Sequence, residues 1–163
     1  MKKLSYLFLF SLLFLMVGCL DKSEEHYTPR IANSVFVRNQ TDTLLLHVID
    51  STQQIVLDTI MVGDTVRCMA AYSSLGNNLT SAKVGWEKEY IDLQIHLFDE
   101  LRAIMLESSD TLNGIINLPA GYYYLSLPIE FRALQAGSPN LVFTVESDSK
   151  FSPVSKTIVV PIR

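Results

Sequence analysis

The chain has 163 residues, of which 48% are hydrophobic and 18% are charged, and its net charge is −4 at neutral pH. This length suits a single domain. The acidic balance argues against nucleic acid or an anionic membrane surface as a direct partner, because either would require a basic surface.

The first 18 residues have the pattern of a secretory signal peptide. Lys2 and Lys3 supply the positive start, and residues 4–17 form an apolar run of 14 residues. A membrane-spanning helix needs about 20 apolar residues, and polar sequence follows this run at once. We therefore predict a cleaved signal and disfavour the alternative of an uncleaved membrane helix.

The end of this run, Met16-Val17-Gly18-Cys19, resembles the signal of bacterial lipoproteins. The resemblance implies cleavage before Cys19, attachment of a diacyl group to its thiol, and acylation of the new amine by a fatty acid such as palmitate. The match departs at Met16, where leucine is usual. Two acyl chains suffice for stable attachment, so the membrane is the expected partner through this anchor.

The following stretch, Asp21-Lys22-Ser23-Glu24-Glu25, looks like the acidic tether of surface lipoproteins in Bacteroidota. That resemblance implies the outer membrane, with the protein on the cell surface; the periplasmic face and a plain solvated linker stay as alternatives. The expected organisation is a signal peptide over 1–18, a lipidated cysteine with flexible tether over 19–31, and a folded domain over 32–163.

Signal removal leaves 145 residues, with 11 basic residues (13 less Lys2 and Lys3) against 17 acidic ones, a net charge of −6. With Cys19 lipidated, Cys68 is the remaining one of two cysteines and has no disulfide partner. Its spacing from Val66 and Ala70 predicts a buried thiol on the core face of a strand.

From residue 32 the apolar pattern has a period of two, with turn residues every 8 to 12 positions. Residues 43–49 and 54–60 predict a hairpin. In residues 90–98, Ile91, Leu93, Ile95 and Leu97 alternate with Asp92, Gln94 and His96, which predicts a strand with one buried face. Ala82, Val84 and Trp86 share a face of the strand before it, and Trp86 is expected to fill the core.

The second half continues the same pattern. Residues 99–107 suit either a helical turn or a hairpin, and the surrounding strands favour the hairpin. Residues 122–127, 140–145 and 157–160 predict further strands, while Pro128 and Pro161 indicate strand edges or ends. The expected fold is all-β, a single antiparallel immunoglobulin-like sandwich of about seven to nine strands. The resemblance is one of architecture, because the paired cysteines of antibody domains are absent.

Motifs for catalysis are missing from the sequence. It contains no GxSxG, HExxH or GxxxxGK[ST], and the SxxK match at 147–150 lies between two strands. Glu87 and Glu89 flank Trp86, but a small sandwich has little room for a catalytic cleft. We therefore predict no enzyme, no catalytic residue, no metal site and no cofactor. A metal contact between His96 and Asp92 is the less favoured reading, and a solvated surface histidine is preferred.

A candidate ligand platform lies at Tyr122, Tyr124 and Ser126. Alternation places these three on one strand face, with Tyr123, Leu125 and Leu127 on the other. Flat aromatic rings on a sheet face can stack on the rings of a glycan. The simpler alternative is that paired tyrosines stabilise the sheet across strands.

Five tripeptides resemble the Asp-Ser/Thr acceptor of protein O-glycosylation in Bacteroidota. The acceptor positions are Thr43, Ser51, Thr59, Thr65 and Thr111. An aspartate followed by a β-branched threonine is also expected at strand ends without any modification.

These patterns predict a non-enzymatic binding or accessory module held at the outer membrane, with a glycan or a surface protein complex as partner. The alternative is a subunit or assembly factor of a surface fibre or uptake complex that acts through an edge strand. Residues 154–162 are the expected donor, because a terminal strand can leave its sheet most easily.

Overall fold

The computed structural model describes residues 27–49 and 54–163. The predicted signal peptide, Cys19, the acidic residues of the tether and Ser51 lie outside the described residues. Within the described ranges, no helix has the length and apolar character needed to cross a membrane.

Two sheets of six strands each form the domain. The first sheet contains β1 (Arg30–Asn33), β2 (Phe36–Arg38), β3 (Asp42–Leu44), β6 (Thr65–Ser73), β8 (Ile91–Ile95) and β10 (Tyr124–Ala133). Its order is β3-β2-β6-β10-β8, and β1 pairs with the same side of β6 as β2. β1 includes Arg30 and Ile31, so the sandwich begins two residues before the boundary expected for the tether.

The second sheet contains β4 (Leu46–Ile49), β5 (Gln54–Leu57), β7 (Leu79–Trp86), β9 (Ile115–Asn117), β11 (Asn140–Ser147) and β12 (Val154–Val159). Its order is β4-β5-β12-β11-β7-β9. The predicted hairpin is confirmed as β4 and β5. The all-β prediction is also confirmed, with 12 strands in the described residues where seven to nine were expected.

One strand pair departs from the antiparallel expectation. β5 and β12 run parallel, with Ile55 opposite Ile158 and Val56 opposite Val159. Hairpin turns force antiparallel pairing between sequence neighbours, but these two strands are distant in the chain. Tertiary structure alone therefore sets their direction.

The hairpin expected over residues 99–107 is wrong, because a helix forms there. α1 (Asp99–Ile104) follows β8. Leu101 is 1% exposed, Ile104 packs against the core from the same helix face, and Met105, directly after the helix, packs there too. This segment carries the chain from the first sheet to β9 of the second, a crossing that a hairpin continuing from β8 does not make.

Alternating side chains of both sheets meet in one core. Cys68 is buried between Val66 and Ala70, as predicted. Burial raises the pKa of its thiol to about 12. The largest fully buried side chains are Tyr72, Phe36, Phe131, Phe143, Leu57, Ile60, Leu79, Ile91, Leu101, Ile116, Leu127 and Ile129.

The C-terminal strand is not an edge strand. β12 lies between β5 and β11, and Ile158, Val160 and Ile162 are buried in the core. Removing this segment would expose those side chains to water. The structure therefore contradicts the prediction that residues 154–162 are the strand most easily donated.

Pro128 lies inside β10, opposite Met69, and not at a strand end. Its carbonyl accepts a hydrogen bond from the backbone N–H of His96 (2.9 Å), on the side of β10 that faces β8. β8 itself ends at Ile95. The missing proline N–H therefore falls where the neighbouring strand has finished, which explains how the sheet tolerates the proline.

Candidate functional site

The solvent-facing side of the first sheet carries the predicted platform, and we call it the outer face. Strand pairing places eight of its residues side by side: Arg30 and Ala32 of β1, Met69, Ala71 and Ser73 of β6, and Tyr124, Ser126 and Pro128 of β10. They alternate along their strands with residues directed at the core.

Tyr124 is the largest exposed group on the outer face. It is 60% exposed, and its hydroxyl shares a hydrogen bond of 2.7 Å with the hydroxyl of Ser126. Leu125 and Leu127 are buried, as the alternation predicted. The bond to Ser126 directs the tyrosine along its strand, so the ring leans over the sheet.

Tyr122 does not join this platform. It is partly buried and packs against the core, while Tyr123 is 51% exposed although it was expected to face inward. β10 begins only at Tyr124, and Gly121 before these residues has a φ of 99°. The two-residue alternation therefore does not extend back through the turn, and extending it caused the misplacement.

Small side chains surround Tyr124 on the neighbouring strands. Ser73 lies opposite Tyr124, and Ala71 lies opposite Ser126. β1 continues these rows outward, with Arg30 opposite Ser73 and Ala32 opposite Ala71. The side chains next to the tyrosine on β6 are therefore short, and the exposed guanidinium of Arg30 lies at the border of this region.

Arg30, Ala32 and Ala71 were not identified from the sequence. They lie far from Tyr124 in the chain, and only the pairing of β1, β6 and β10 brings them together. No local pattern carries that information.

Charged groups occupy the opposite end of the outer face. Arg67 of β6 forms an ion pair with Glu130 of β10, and Nε2 of His96 lies 3.8 Å from the same carboxylate. Asp92 is placed beside Arg132 by strand register. Among the described residues, no group of three histidine, cysteine or carboxylate side chains is arranged to hold a metal ion.

The two glutamates beside Trp86 have structural contacts. Glu87 accepts hydrogen bonds from the backbone N–H of Asn140 (2.8 Å) and from its side-chain amide (3.1 Å). Glu89 accepts one from the amide of Gln135 (3.2 Å). Glu87 therefore ties the turn before β8 to the start of β11, and Glu89 ties it to the segment between β10 and β11.

The candidate acceptor threonines differ in accessibility. Thr43 and Thr59 are exposed, whereas Thr65 and Thr111 are partly buried. Their exposure makes the first two the better placed of the four described acceptors for attachment of a sugar.

Two aspartates of these tripeptides, Asp58 and Asp64, accept hydrogen bonds from nearby loop residues. Asp58 accepts a hydrogen bond from the backbone N–H of Leu45 (2.8 Å) and also contacts His47. Asp64 accepts from the backbone N–H of Met61 (2.8 Å) and the amide of Asn39 (2.9 Å). Hydrogen bonds to the ionised carboxylates lower the pKa of both groups.

A cleft of about 590 Å³ runs along β8. Its walls include Trp86, Leu112 and Leu134. Leu112 belongs to a 3₁₀ helix (Thr111–Asn113) and is 84% exposed. Trp86 is partly buried, so it packs at the edge of the core and also borders the cleft. The ammonium of Lys88 lies 5.4 Å from its ring centre.

No protein-family model matches this chain. No curated protein shows significant similarity to it.

Proposed function

We propose that this chain is a lipid-anchored, non-enzymatic module of the cell envelope, displayed at the outer membrane surface, and that its outer face binds glycans. The observation that carries the binding proposal is the exposed Tyr124 ring, which the hydrogen bond to Ser126 holds along β10, beside short side chains of β6. The anchor is supported by the lipoprotein-like signal ending at Cys19.

The immunoglobulin-like character of the sandwich is supported by strand order. In that architecture one sheet has the order A-B-E-D and the other C-F-G. Here β2-β6-β10-β8 and β7-β11-β12 follow the same two orders. The departure is β9, which follows β8 in the chain but pairs with β7.

The anchor is tested by the mass of the native protein isolated from its membrane. We expect a chain beginning at Cys19 that carries fatty acyl groups, and we expect Cys19→Ser to release the protein from the membrane. Cys68→Ser is the matched control and should leave attachment unchanged, because that thiol is buried. An intact Met1 terminus would contradict the proposal. Protease shaving of intact cells tests surface display, since a protected domain would place the protein at the periplasmic face.

Glycan recognition by the outer face combines stacking and hydrogen bonding. An aromatic ring presents an apolar surface, and the short side chains beside it leave space for a flat sugar ring. Arg30 and Ser126 offer donors and acceptors at the sides of that space. The arrangement positions a ligand but includes no pair of carboxylates placed to cleave it.

A glycan array with the purified protein tests this face. Tyr124→Ala should weaken binding about five- to thirty-fold, as loss of a central aromatic contact does. Tyr123→Ala is the matched control, since Tyr123 is similarly exposed but precedes the strand. Equal effects of both substitutions, or no binding by the unaltered protein, would refute glycan recognition at Tyr124.

We also propose O-glycosylation at Thr43 and Thr59, which are the exposed acceptors among those described. Peptide mapping of the native protein should find hexose-containing mass additions at these two positions before Thr65 or Thr111. Modification confined to the two partly buried threonines would contradict this ranking.

The second candidate function is that of a subunit or assembly factor acting through an edge strand. The observation that favours it is the position of β8, which forms one end of the first sheet beside the cleft. A stable monomer at all concentrations, with no partner strand on β8, would refute it.

A further inference from the structure

One end of the sandwich brings together the first described residues of the chain and three turns. Residues 27–29 lead into β1 here, and residues 74–78, 118–123 and 148–153 connect strands. We call these four segments the entry end. They lie together because β1 begins, β6 ends and β10 begins at the same level of the first sheet, while β7 begins and β11 ends at the matching level of the second.

Hydrogen bonds join the four segments of the entry end. The backbone N–H of Tyr27 donates to the side-chain oxygen of Asn77 (2.9 Å). The side chain of Asn78 accepts from the backbone N–H of Gly121 (2.8 Å) and donates to the carboxylate of Asp148 (2.6 Å). The entry end is therefore one connected surface, and side chains from different segments keep their places relative to one another.

Each segment of the entry end exposes one large apolar side chain to water. Their exposed fractions lie between 39% and 58%, and the residues are Tyr27, Leu75, Tyr123 and Phe151. Three of the four are aromatic, and tyrosine is enriched where proteins meet the membrane–water interface. An apolar patch to which every segment at one end of a domain contributes indicates a contact surface.

The entry end also carries little charge. Its four segments contain one acidic residue, Asp148, and one basic residue, Lys150. The ammonium of Lys150 lies 5.2 Å from the ring centre of Phe151. The opposite end of the sandwich contains Asp58, Asp64, Glu87 and Glu89. Contact between the entry end and a lipid surface therefore does not bring the negative charge of the opposite end near lipid.

The predicted anchor is close to this end along the chain. Eight residues lead from Cys19 to Tyr27, and they span about 28 Å when fully extended. β10 has ten residues and is therefore about 30 Å long. The opposite end of the sandwich can meet the membrane only if the tether is stretched almost fully along the domain, whereas the entry end can meet it with the tether in any conformation.

We propose that the entry end rests on the lipid surface that holds the anchor, with its four exposed apolar side chains reaching into the interface between headgroups and acyl chains. This contact removes apolar surface from water. Met61 and Val62, which lie at the opposite end beside the C-terminus, then point away from the membrane. The inference rests on the proposed lipid anchor and is independent of sugar binding.

Fluorescence quenching by lipid tests this orientation, with the full acylated chain in vesicles of neutral phosphatidylcholine. Ala120→Cys places a reporter thiol at the entry end, and Ala136→Cys is the matched control at the opposite end, since both alanines are exposed. Cys68 is buried, so the introduced thiol takes the fluorophore. With a nitroxide on the lipid headgroups, we expect loss of emission at residue 120 and unchanged emission at residue 136.

Substitution of Leu75 in the Ala120→Cys reporter chain tests the apolar contact itself. Leu75→Glu should shift the ratio of docked to undocked domain about tenfold towards the undocked form, because burial of a leucine contributes roughly that factor. Emission at residue 120 should then recover. Leu75→Met should retain the loss of emission, and Val62→Glu is the control at the opposite end. The unfolding temperature of each variant shows whether the fold is intact.

The outcomes separate this inference from the anchor on which it rests. A chain that stays on the vesicles and loses emission equally at residues 120 and 136, or at neither, would overturn docking by the entry end and leave the anchor standing. A chain recovered in the supernatant would refute the anchor, and this inference with it. Unchanged quenching in Leu75→Glu would also overturn the inference. So would recovery of emission at high salt, since it would show a contact made by charge.

Discussion

Gly114 occupies the position in this fold where an added methyl group should be least tolerated. It follows the 3₁₀ helix with a φ of 73°. A Cβ at this residue would lie 2.1 Å from the carbonyl oxygen of Val84 and 2.9 Å from the ring of Trp86. The carbonyl of Gly114 also accepts a hydrogen bond from the N–H of Val84 (2.9 Å), so the turn cannot move away without losing that bond.

We expect Gly114→Ala to reduce the free energy of unfolding by about 3–6 kcal/mol, as the sum of three costs. The left-handed backbone accounts for about 1–2 kcal/mol, and forced displacement against a packed backbone adds about 1–3 kcal/mol. Loss of the hydrogen bond adds about 1 kcal/mol. For a domain of this size, the unfolding temperature should fall by roughly 12–24 °C.

Gly121→Ala is the matched control. Gly121 has a φ of 99°, and a Cβ there would meet no atom within 4 Å. This variant carries the backbone cost alone, about 1–2 kcal/mol. Urea unfolding followed by the fluorescence of the single tryptophan measures both variants. Equal losses would refute the claim that contact with Val84 and Trp86 makes Gly114 irreplaceable.

Three further predictions concern titratable groups. Asp64→Asn should lower stability by about 1 kcal/mol at neutral pH. Hydrogen bonds lower the pKa of this carboxyl below its usual 3.8. Its contribution to the free energy of unfolding is therefore fully present above pH 3.8 and disappears as the pH falls through the folded-state pKa. Urea titrations should show a smaller stability difference between the unaltered chain and Asp64→Asn at pH 3 than at pH 7. The same difference at both pH values would contradict this prediction. The Cys68 thiol, with a pKa raised to about 12, should resist alkylation at pH 8 in the folded chain and react in urea, as read by mass spectrometry; rapid labelling of the folded chain would contradict its burial. Lys156 has a pKa lowered by desolvation, so its charged form opposes folding at neutral pH and this cost is relieved as the pH rises towards 10.5. Lys156→Met should therefore raise the unfolding temperature at pH 7, with a smaller gain at pH 10; a lower temperature at pH 7 would show that the ammonium stabilises the fold.

Local patterns predicted much of the secondary structure correctly. Alternation along residues 90–98 located β8 and its buried face, and the polar residue types at positions 50–53 of the sequence located the β4–β5 hairpin. These succeed because side-chain direction in a strand depends only on the residue's place in the alternation. The same rule failed at Tyr122, since the strand had not yet begun.

Elements that depend on distant parts of the chain were not predictable in this way. Residues 99–107 suited either a helical turn or a hairpin, and the surrounding strands wrongly favoured the hairpin over α1. β12 was expected at an edge because it is last in sequence, yet it lies between β5 and β11. Strand order is decided by which buried faces fit together, and that is a property of the whole core.

The sequence by itself determined the all-strand character, the burial of Cys68 and the identity of Tyr124 as an exposed aromatic residue. Only the tertiary structure decided that Arg30, Ala71 and Tyr124 lie side by side, and that β8 is the last strand of its sheet while the C-terminal strand β12 lies inside the other sheet. The physical reason is distance along the chain. The alternation of apolar and polar residues is set within each strand, whereas the neighbours of a strand in its sheet are set by packing between segments far apart in the chain.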